Sequence, residues 1–210
     1  MERAMQMKPG NAGFYIWFDT EYSTLDLEKA HLLQVAALIT DFDLRRVVPR
    51  EQDISVAIRL SPGDEVSPWV RENLPGLIKK CLSANAVDIS TADDMLSAYI
   101  DSAVGDPADM ENERPVLAGN SVHADWRLAG RFLPRFMGRL NYRHLDVTSF
   151  KLEWNRLNPG NDIGKDRKKF IRRYFPEAFL PKSGSHHDAY FDVQASIAEL
   201  AYYRSHLFSK

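Results

Sequence analysis

Asp19 and Glu21 stand one residue apart at the end of an apolar run, Phe14-Tyr15-Ile16-Trp17-Phe18-Asp19-Thr20-Glu21. Side chains alternate between the two faces of a strand, so both carboxylates project the same way and Thr20 the other. Two like charges in one small space are costly unless a cation or a shared proton compensates them. Hard divalent ions such as magnesium take oxygen ligands from such groups. By itself the pattern also describes an ordinary strand running into a polar loop. Two further acidic positions bear on that choice: Asp125, shortly after the turn Gly119-Asn120, and Asp192 near the C-terminus. His187 lies five residues before Asp192, a separation that leaves two side chains roughly 140° apart on an ideal helix. His187 is therefore predicted in the loop or first turn ahead of the helix, where it can swing toward whatever Asp192 holds. Ser183-Gly184-Ser185 would let that loop move.

These residues need a scaffold, and the hydrophobic pattern supplies one. After the opening strand, Tyr22 to Lys29 is a polar connection whose one notable apolar residue is Leu25. His31 to Thr40 is nearly continuous apolar sequence and suits a second strand buried on both faces. Asp53 to Leu60, with Ile54, Val56 and Ile58 alternating, predicts a third strand in a meander. From Ser67 to Met110 the chain reads as helical, punctuated by Pro75-Gly76 and Asp106-Pro107, with the clearest helix over Thr91–Val104 and Thr91 as its cap. Pro115 to Asn120 is a short strand, followed by a helix carrying Asp125, Trp126, Leu128, Ala129, Phe132, Leu133 and Phe136. Arg143 to Val147 is another strand leading into a helix with Phe150, Leu152 and Trp154, and His187 to Leu207 is the strongest helix in the chain. Strands first, then strands alternating with helices, predict an α/β fold around a mixed sheet.

Composition bounds what such a fold could be for. A chain of 210 residues, 44% hydrophobic and 27% charged, suits one globular domain over 13–210 behind a flexible leader at 1–12. It carries no apolar segment of spanning length and no signal-peptide core, so a cytoplasmic protein with no membrane association is expected. A single cysteine, Cys81, excludes an internal disulfide framework and a Cys-rich zinc site, and an inert buried thiol is its expected state. A net charge of -2 argues against gripping long nucleic acid by charge alone, although bound metal can offset phosphate charge. The one basic cluster is Lys165, Arg167, Lys168, Lys169, Arg172 and Arg173, which reads as the solvated face of an amphipathic helix or as guidance for a phosphate-bearing substrate.

Taken together, the residues resemble the DEDDh exonucleases, whose metal site is built from Asp, Glu, Asp and Asp with a catalytic His, and within them the oligoribonuclease branch. The resemblance runs from Trp17 to Phe208 through Trp17-Phe18-Asp19-Thr20-Glu21, Gly119-Asn120-Ser121-Val122 followed by Asp125, Tyr142-Arg143-His144-Leu145-Asp146-Val147-Thr148, and His187-Asp188-Ala189-Tyr190-Phe191-Asp192. Ser196-Ile197-Ala198-Glu199-Leu200-Ala201-Tyr202-Tyr203-Arg204 resembles the oligoribonuclease end especially strongly. Each piece alone is unspecific, whereas their joint order and spacing are specific. The resemblance implies an RNase H-like mixed β-sheet flanked by helices. It also implies a 3'-to-5' exoribonuclease that degrades short oligoribonucleotides to nucleoside 5'-monophosphates with two divalent ions, Mg2+ or Mn2+.

In that chemistry one ion activates water and the other stabilises the leaving oxygen, about 3.5–4 Å away. Asp19 bridges the two, Glu21 and Asp192 complete the first ion's ligands, and Asp125 holds the second directly or through water. His187 takes the proton from the attacking water, a task suited to a side chain that ordinarily titrates near neutrality. His186 lies beside it, yet only His187 stands in the H-x-A-x-x-D spacing. Leu25 is implied as a wedge between two bases, with Ser121, Arg143 and Thr148 at the terminal phosphate, where Arg offers bidentate contacts. A homodimer is implied, with Tyr142 reaching the partner's site. The sequence departs from the family after Trp69: a histidine-bearing segment that meets the second base is replaced by the shorter Val70-Arg71-Glu72-Asn73-Leu74-Pro75. Trp69 itself reads as a core residue or as a base platform. Two other readings stay open, a related exonuclease trimming longer RNA or single-stranded DNA and a nucleotide-binding module without turnover. His31, His123, His144 and His206 read as packing or surface residues.

Overall fold

Leu32–Asp41 (β2) is buried over its whole length up to Thr40, so this strand must be covered on both faces. It pairs antiparallel with Phe14–Tyr22 (β1) on one side and with Ile54–Ala57 (β3) on the other, forming the expected meander. The third strand is shorter than the alternation predicts: beyond Ala57, Ile58 still donates to the Leu33 carbonyl at 2.8 Å but bridges to Val87 instead of extending the strand. Val116–Gly119 (β4) then lies parallel to β1, and His144–Asp146 (β5) parallel to β4. The result is a five-stranded mixed sheet in the order β3-β2-β1-β4-β5, with β1 at its centre. The computed structural model describes residues 13–105, 114–160, 163–164, 166–180 and 187–207. The expected leader, the Asp106-Pro107 break, Lys165, His186 and the Ser183-Gly184-Ser185 hinge lie outside them.

The helices are Pro68–Asn73 (α1), Pro75–Cys81 (α2), Ile89–Val104 (α3), His123–Phe132 (α4), Pro134–Met137 (α5), Val147–Leu157 (α6), Lys168–Tyr174 (α7) and Ala189–Leu207 (α8). Two differ from the sequence reading. α3 begins at Ile89 after Asp88, so Thr91 lies inside it rather than capping it. Asp94, three residues on in the position a capping box would use, pairs with Arg135. The helix that starts near Asp125 stops at Phe132, because Pro134 cannot donate to the preceding turn and opens α5 instead. The N–H groups of Arg135 and Phe136 at that new start are satisfied by Asp93, at 3.0 and 2.8 Å.

Strand alternation sorts the core into two layers. Ile16 and Phe18 of β1 pack with Leu96, Tyr99 and Ile100 of α3 and with Leu128 and Ala129 of α4. Trp17 packs on the opposite face with Trp154 of α6, Ile171 of α7 and Phe191, Ile197 and Leu200 of α8. A third, smaller cluster joins Leu33 to Val70, Leu74, Leu77 and Cys81 under α1 and α2. Cys81 is fully buried there, its thiol donating to the Leu33 carbonyl at 3.2 Å, and burial pushes its pKa up to about 11. That is an inert thiol, as expected. Among the described residues, no helix is long and apolar enough to cross a membrane.

Candidate active site

The two layers decide where the acidic residues go. By the same alternation Asp19 and Glu21 share Trp17's face and look toward α8, whereas Thr20 shares the face of Ile16 and Phe18 and looks toward α4. On the first face Asp192, in the opening turn of α8, meets the pair. One carboxylate oxygen each from Asp19, Glu21 and Asp192 lies within 4.8 Å of the others. On the second face Thr20 grips Asp125, which sits in the first turn of α4. Both the N–H and the hydroxyl of Thr20 donate to Asp125 Oδ1, at 2.9 and 2.6 Å. Asp125 therefore stands outside the trio yet lines the same cleft, with one oxygen engaged by Thr20.

That cleft has a volume of about 570 Å³ and is lined by Asp19, Glu21, Asp125, Asp192 and His187 together with Leu25, Trp69 and Ser121. Its charge distribution has a measurable consequence. Burial first, then the charges of Asp192, Asp188 and Asp125, push the Glu21 carboxyl up to about 8. Burial likewise pushes Asp125 up to about 7, against the opposing hydrogen bonds from Thr20. Carboxylates held where their own ionisation is disfavoured are suited to a cation, and an all-oxygen set of this spacing fits a hard divalent ion. Asp19, Glu21 and Asp192, with Asp125 beside them, are the residues able to hold it.

His187 occupies the turn just before α8, as its spacing from Asp192 requires. Its φ of 59° lies in the left-handed region, which is sparsely used by non-glycine residues and worth reading as a functional constraint. Asp188 then caps the helix, its Oδ1 accepting from the N–H groups of Tyr190 and Phe191 at 3.1 and 3.2 Å. The His187 ring is exposed and stands edge-on to Trp69, with centroids 5.1 Å apart and planes at 81°. The core reading of Trp69 is thereby overturned. The side chain is 51% exposed at the cleft wall, because Ser67 and Pro68 start α1 so that Val70 and Leu74, not Trp69, face the small core.

The other substrate-side expectations divide. Leu25 projects into the cleft and is 87% exposed. Ser121 lines the cleft at φ 53°, its N–H donating to Thr148 Oγ1 at 2.8 Å and to Asp146 Oδ1 at 2.9 Å. Thr148 does not itself line the cleft. It sits one contact behind, donating to Asn120 Oδ1 at 3.2 Å. Asn120 is anchored in turn, its amide donating to Ser196 Oγ at 2.8 Å and to the buried Glu199 at 2.9 Å. Arg143 and Tyr142 are exposed ahead of β5 and outside the cleft lining, with the guanidinium 4.4 Å from the Tyr142 ring centre. Sequence reasoning missed Thr20, Asp188 and Asn120 as positioning groups. All three lie inside the segments that carry the resemblance, and only the packing of α4, α6 and α8 shows what each of them holds. Gly119 before Asn120 has a steric reason, since a Cβ there would come within 2.8 Å of the Phe18 carbonyl oxygen.

Residues 16–200 match the exonuclease family model RNase_T. A mitochondrial oligoribonuclease of Bos taurus is 30% identical over 203 residues, which span 93% of this chain and 73% of that protein. An oligoribonuclease from Mycobacterium sp. (strain KMS) is 30% identical over 197 residues, 92% of this chain and 80% of its own. Among solved structures, the thermophilic exonuclease I of Methylocaldum szegediense superposes with a TM-score of 0.61 at 17% identity, covering 92% of this chain and 40% of that one. At that identity the likeness is one of fold, the RNase H-like arrangement of a mixed sheet flanked by helices.

Proposed function

The chain belongs to the RNase_T exonuclease family, in its oligoribonuclease branch, and from that membership we propose how its cleft works. The protein is a 3'-to-5' exoribonuclease that hydrolyses short oligoribonucleotides to nucleoside 5'-monophosphates. The observation that carries the reading is the convergence of Asp19, Glu21 and Asp192 within 4.8 Å, in one cleft with Asp125 and His187. A volume of about 570 Å³ is that of a small-ligand site, which suits the end of a short strand.

Asp19, Glu21 and Asp192, with Asp125 beside them, are the residues that would hold the divalent ions, Mg2+ or Mn2+. Bound there, the ions supply Lewis-acid activation of water and stabilisation of the leaving oxygen. The protein's own groups do the rest. Leu25 and Trp69 seat the bases, one as a wedge and one as an aromatic platform. Ser121, steadied by Thr148 and Asn120, meets the terminal phosphate, with Arg143, exposed ahead of β5, as the cation assigned to it. His187 takes a proton from the water as its oxygen bonds to phosphorus, and the 3'-oxygen of the preceding nucleotide departs. The exposure of His187 lets that proton pass to solvent.

A homodimer in the cytoplasm belongs to the same proposal. Tyr142 is 57% exposed and outside its own cleft, a disposition that supports its reaching a partner's site. The short-substrate reading is tested by product analysis on labelled RNA of two, five and twenty nucleotides. Equal rates on all three lengths would overturn it in favour of an exonuclease that trims longer strands. Full metal-dependent hydrolysis by Asp19→Ala would overturn the site assignment.

A further inference from the structure

The strongest polar cluster outside the cleft lies directly behind it. We propose that Tyr190, held by Asp53 and Arg46, is a positioning residue that pins the first turn of α8 and so sets the placement of Asp192 and His187. The inference rests on the assignment of those two residues to the catalytic centre. Tyr190 and Asp192 are two positions apart, about 200° around an ideal helix, so when one side chain faces the cleft the other faces away from it. Asp192 joins Asp19 and Glu21 in front. Behind, the Tyr190 hydroxyl donates to Asp53 Oδ2 at 2.6 Å, and Arg46 donates to the same oxygen at 2.6 Å.

The cluster reaches four parts of the fold. Asp53 stands immediately before β3, and Arg46 lies in the link from β2, where it bridges Thr40. Asp53 Oδ1 accepts from the Tyr99 hydroxyl of α3 at 3.0 Å. Arg46 Nε donates to the Glu177 carbonyl ahead of α8 at 3.4 Å, and its guanidinium lies 5.6 Å from the centre of the Phe175 ring. The Arg46 and Asp53 side chains are only 8% and 3% exposed. A buried ion pair of this kind is weak support for stability, since the cost of desolvating two charges offsets much of their attraction. What it does provide is a fixed direction, because a carboxylate with several short donors leaves its partners few alternatives. That direction matters at α8, whose preceding residue His187 sits at a left-handed φ of 59° and whose first N–H groups depend on Asp188. The same turn is also held by the Ala189 N–H on Gln34 Oε1 at 3.3 Å and by buried Phe191, and the Tyr190 hydroxyl adds the side-chain tie on the face opposite Asp192, where it limits the turn's rotation about the helix axis.

The test is Tyr190→Phe, which keeps the ring, removes one donor to Asp53 and leaves the Arg46–Asp53 pair intact. On a labelled RNA dinucleotide we expect kcat to fall about tenfold, part of the roughly hundredfold loss that a 1 Å misplacement can cause. KM should stay within about twofold, since no substrate contact is touched. The Mg2+ concentration giving half-maximal activity should rise severalfold as Asp192 loosens. Tyr99→Phe removes another donor from the same carboxylate without touching α8, and it should leave kcat and the Mg2+ dependence unchanged. The pin is overturned if Tyr190→Phe turns over at the wild-type rate with an unshifted Mg2+ curve, or if Tyr99→Phe loses as much activity as Tyr190→Phe. Asp192→Asn separates this from the site assignment. A fully active Asp192→Asn refutes the site, whereas an inactive one beside a normal Tyr190→Phe refutes only the pin.

Discussion

The two walls of the cleft are built differently. The acidic wall takes Asp19 and Glu21 from the central strand and Asp125 and Asp192 from the first turns of long helices, each close to packed core. The opposite wall takes Leu25 from a connection and Trp69 from a six-residue helix, and both are largely exposed. Groups that hold charge in place need a rigid frame, because small displacements cost rate. Groups that receive a base need area and accessibility, and they can sit on short segments. On the proposed function, chemistry and base seating fall to parts of the molecule that differ in burial, joined where Trp69 meets the His187 ring.

Substitution on each wall should break the contrast in a different parameter. The largest effect belongs to Asp19→Asn, which should lower kcat by about 10³-fold or more, on the scale of losing a transition-state electrostatic contact. Single-turnover rates in saturating Mg2+ would measure it, and a loss rescued by raising substrate would contradict the assignment. His187→Ala should cost about 10²- to 10³-fold in kcat, the range for a lost general base. Single-turnover rates of the two proteins at saturating substrate and Mg2+ would check it. Trp69→Ala acts on the other wall. It should raise KM by about 5- to 150-fold, matching 1–3 kcal/mol of base stacking, with a smaller change in kcat. A kcat loss exceeding the KM change would mean that Trp69 serves His187 rather than the base.

The mildest probe leaves the sequence intact. Glu21 is raised to about 8 in the folded state from an ordinary 4.5, and Asp125 to about 7 from 3.8. A folded state that retains protons the unfolded chain has released loses stability as pH rises between those values. The metal-free protein should therefore become less stable from about pH 5 to pH 8, by a few kcal/mol at most. Mg2+ or Mn2+ should flatten that slope and raise Tm most at the alkaline end. Thermal melts across pH with and without ion would show it, and a metal-free protein that grows steadily more stable up to pH 8 would contradict the cation role of this wall.

Much of the acidic wall is legible in the order of residues alone. The pairing of Asp19 with Glu21 follows from strand alternation, and the place of His187 ahead of α8 follows from the helical angle to Asp192. Less is legible where a helix boundary or a side-chain direction depends on neighbours. Thr91 has the residue type of a cap and is not one, because Asp88 already starts the helix. Leu133 and Phe136 continue the apolar pattern of α4 without belonging to it, because Pro134 divides them from it. Trp69 reads as core by size alone, since no local pattern tells whether it or Val70 turns inward.

The sequence by itself determined the sheet-forming runs, the acidic residues and their order, since periodicity and residue chemistry are local properties. Tertiary structure alone decided the partners. It put Asp192 with Asp19 and Glu21 and gave Asp125 to Thr20, because the two faces of β1 pack against different helices. It also stationed Tyr190 on Asp53, and Trp69 beside His187. Those pairings join residues far apart in the chain, and only the packing of helices on the sheet brings them within reach.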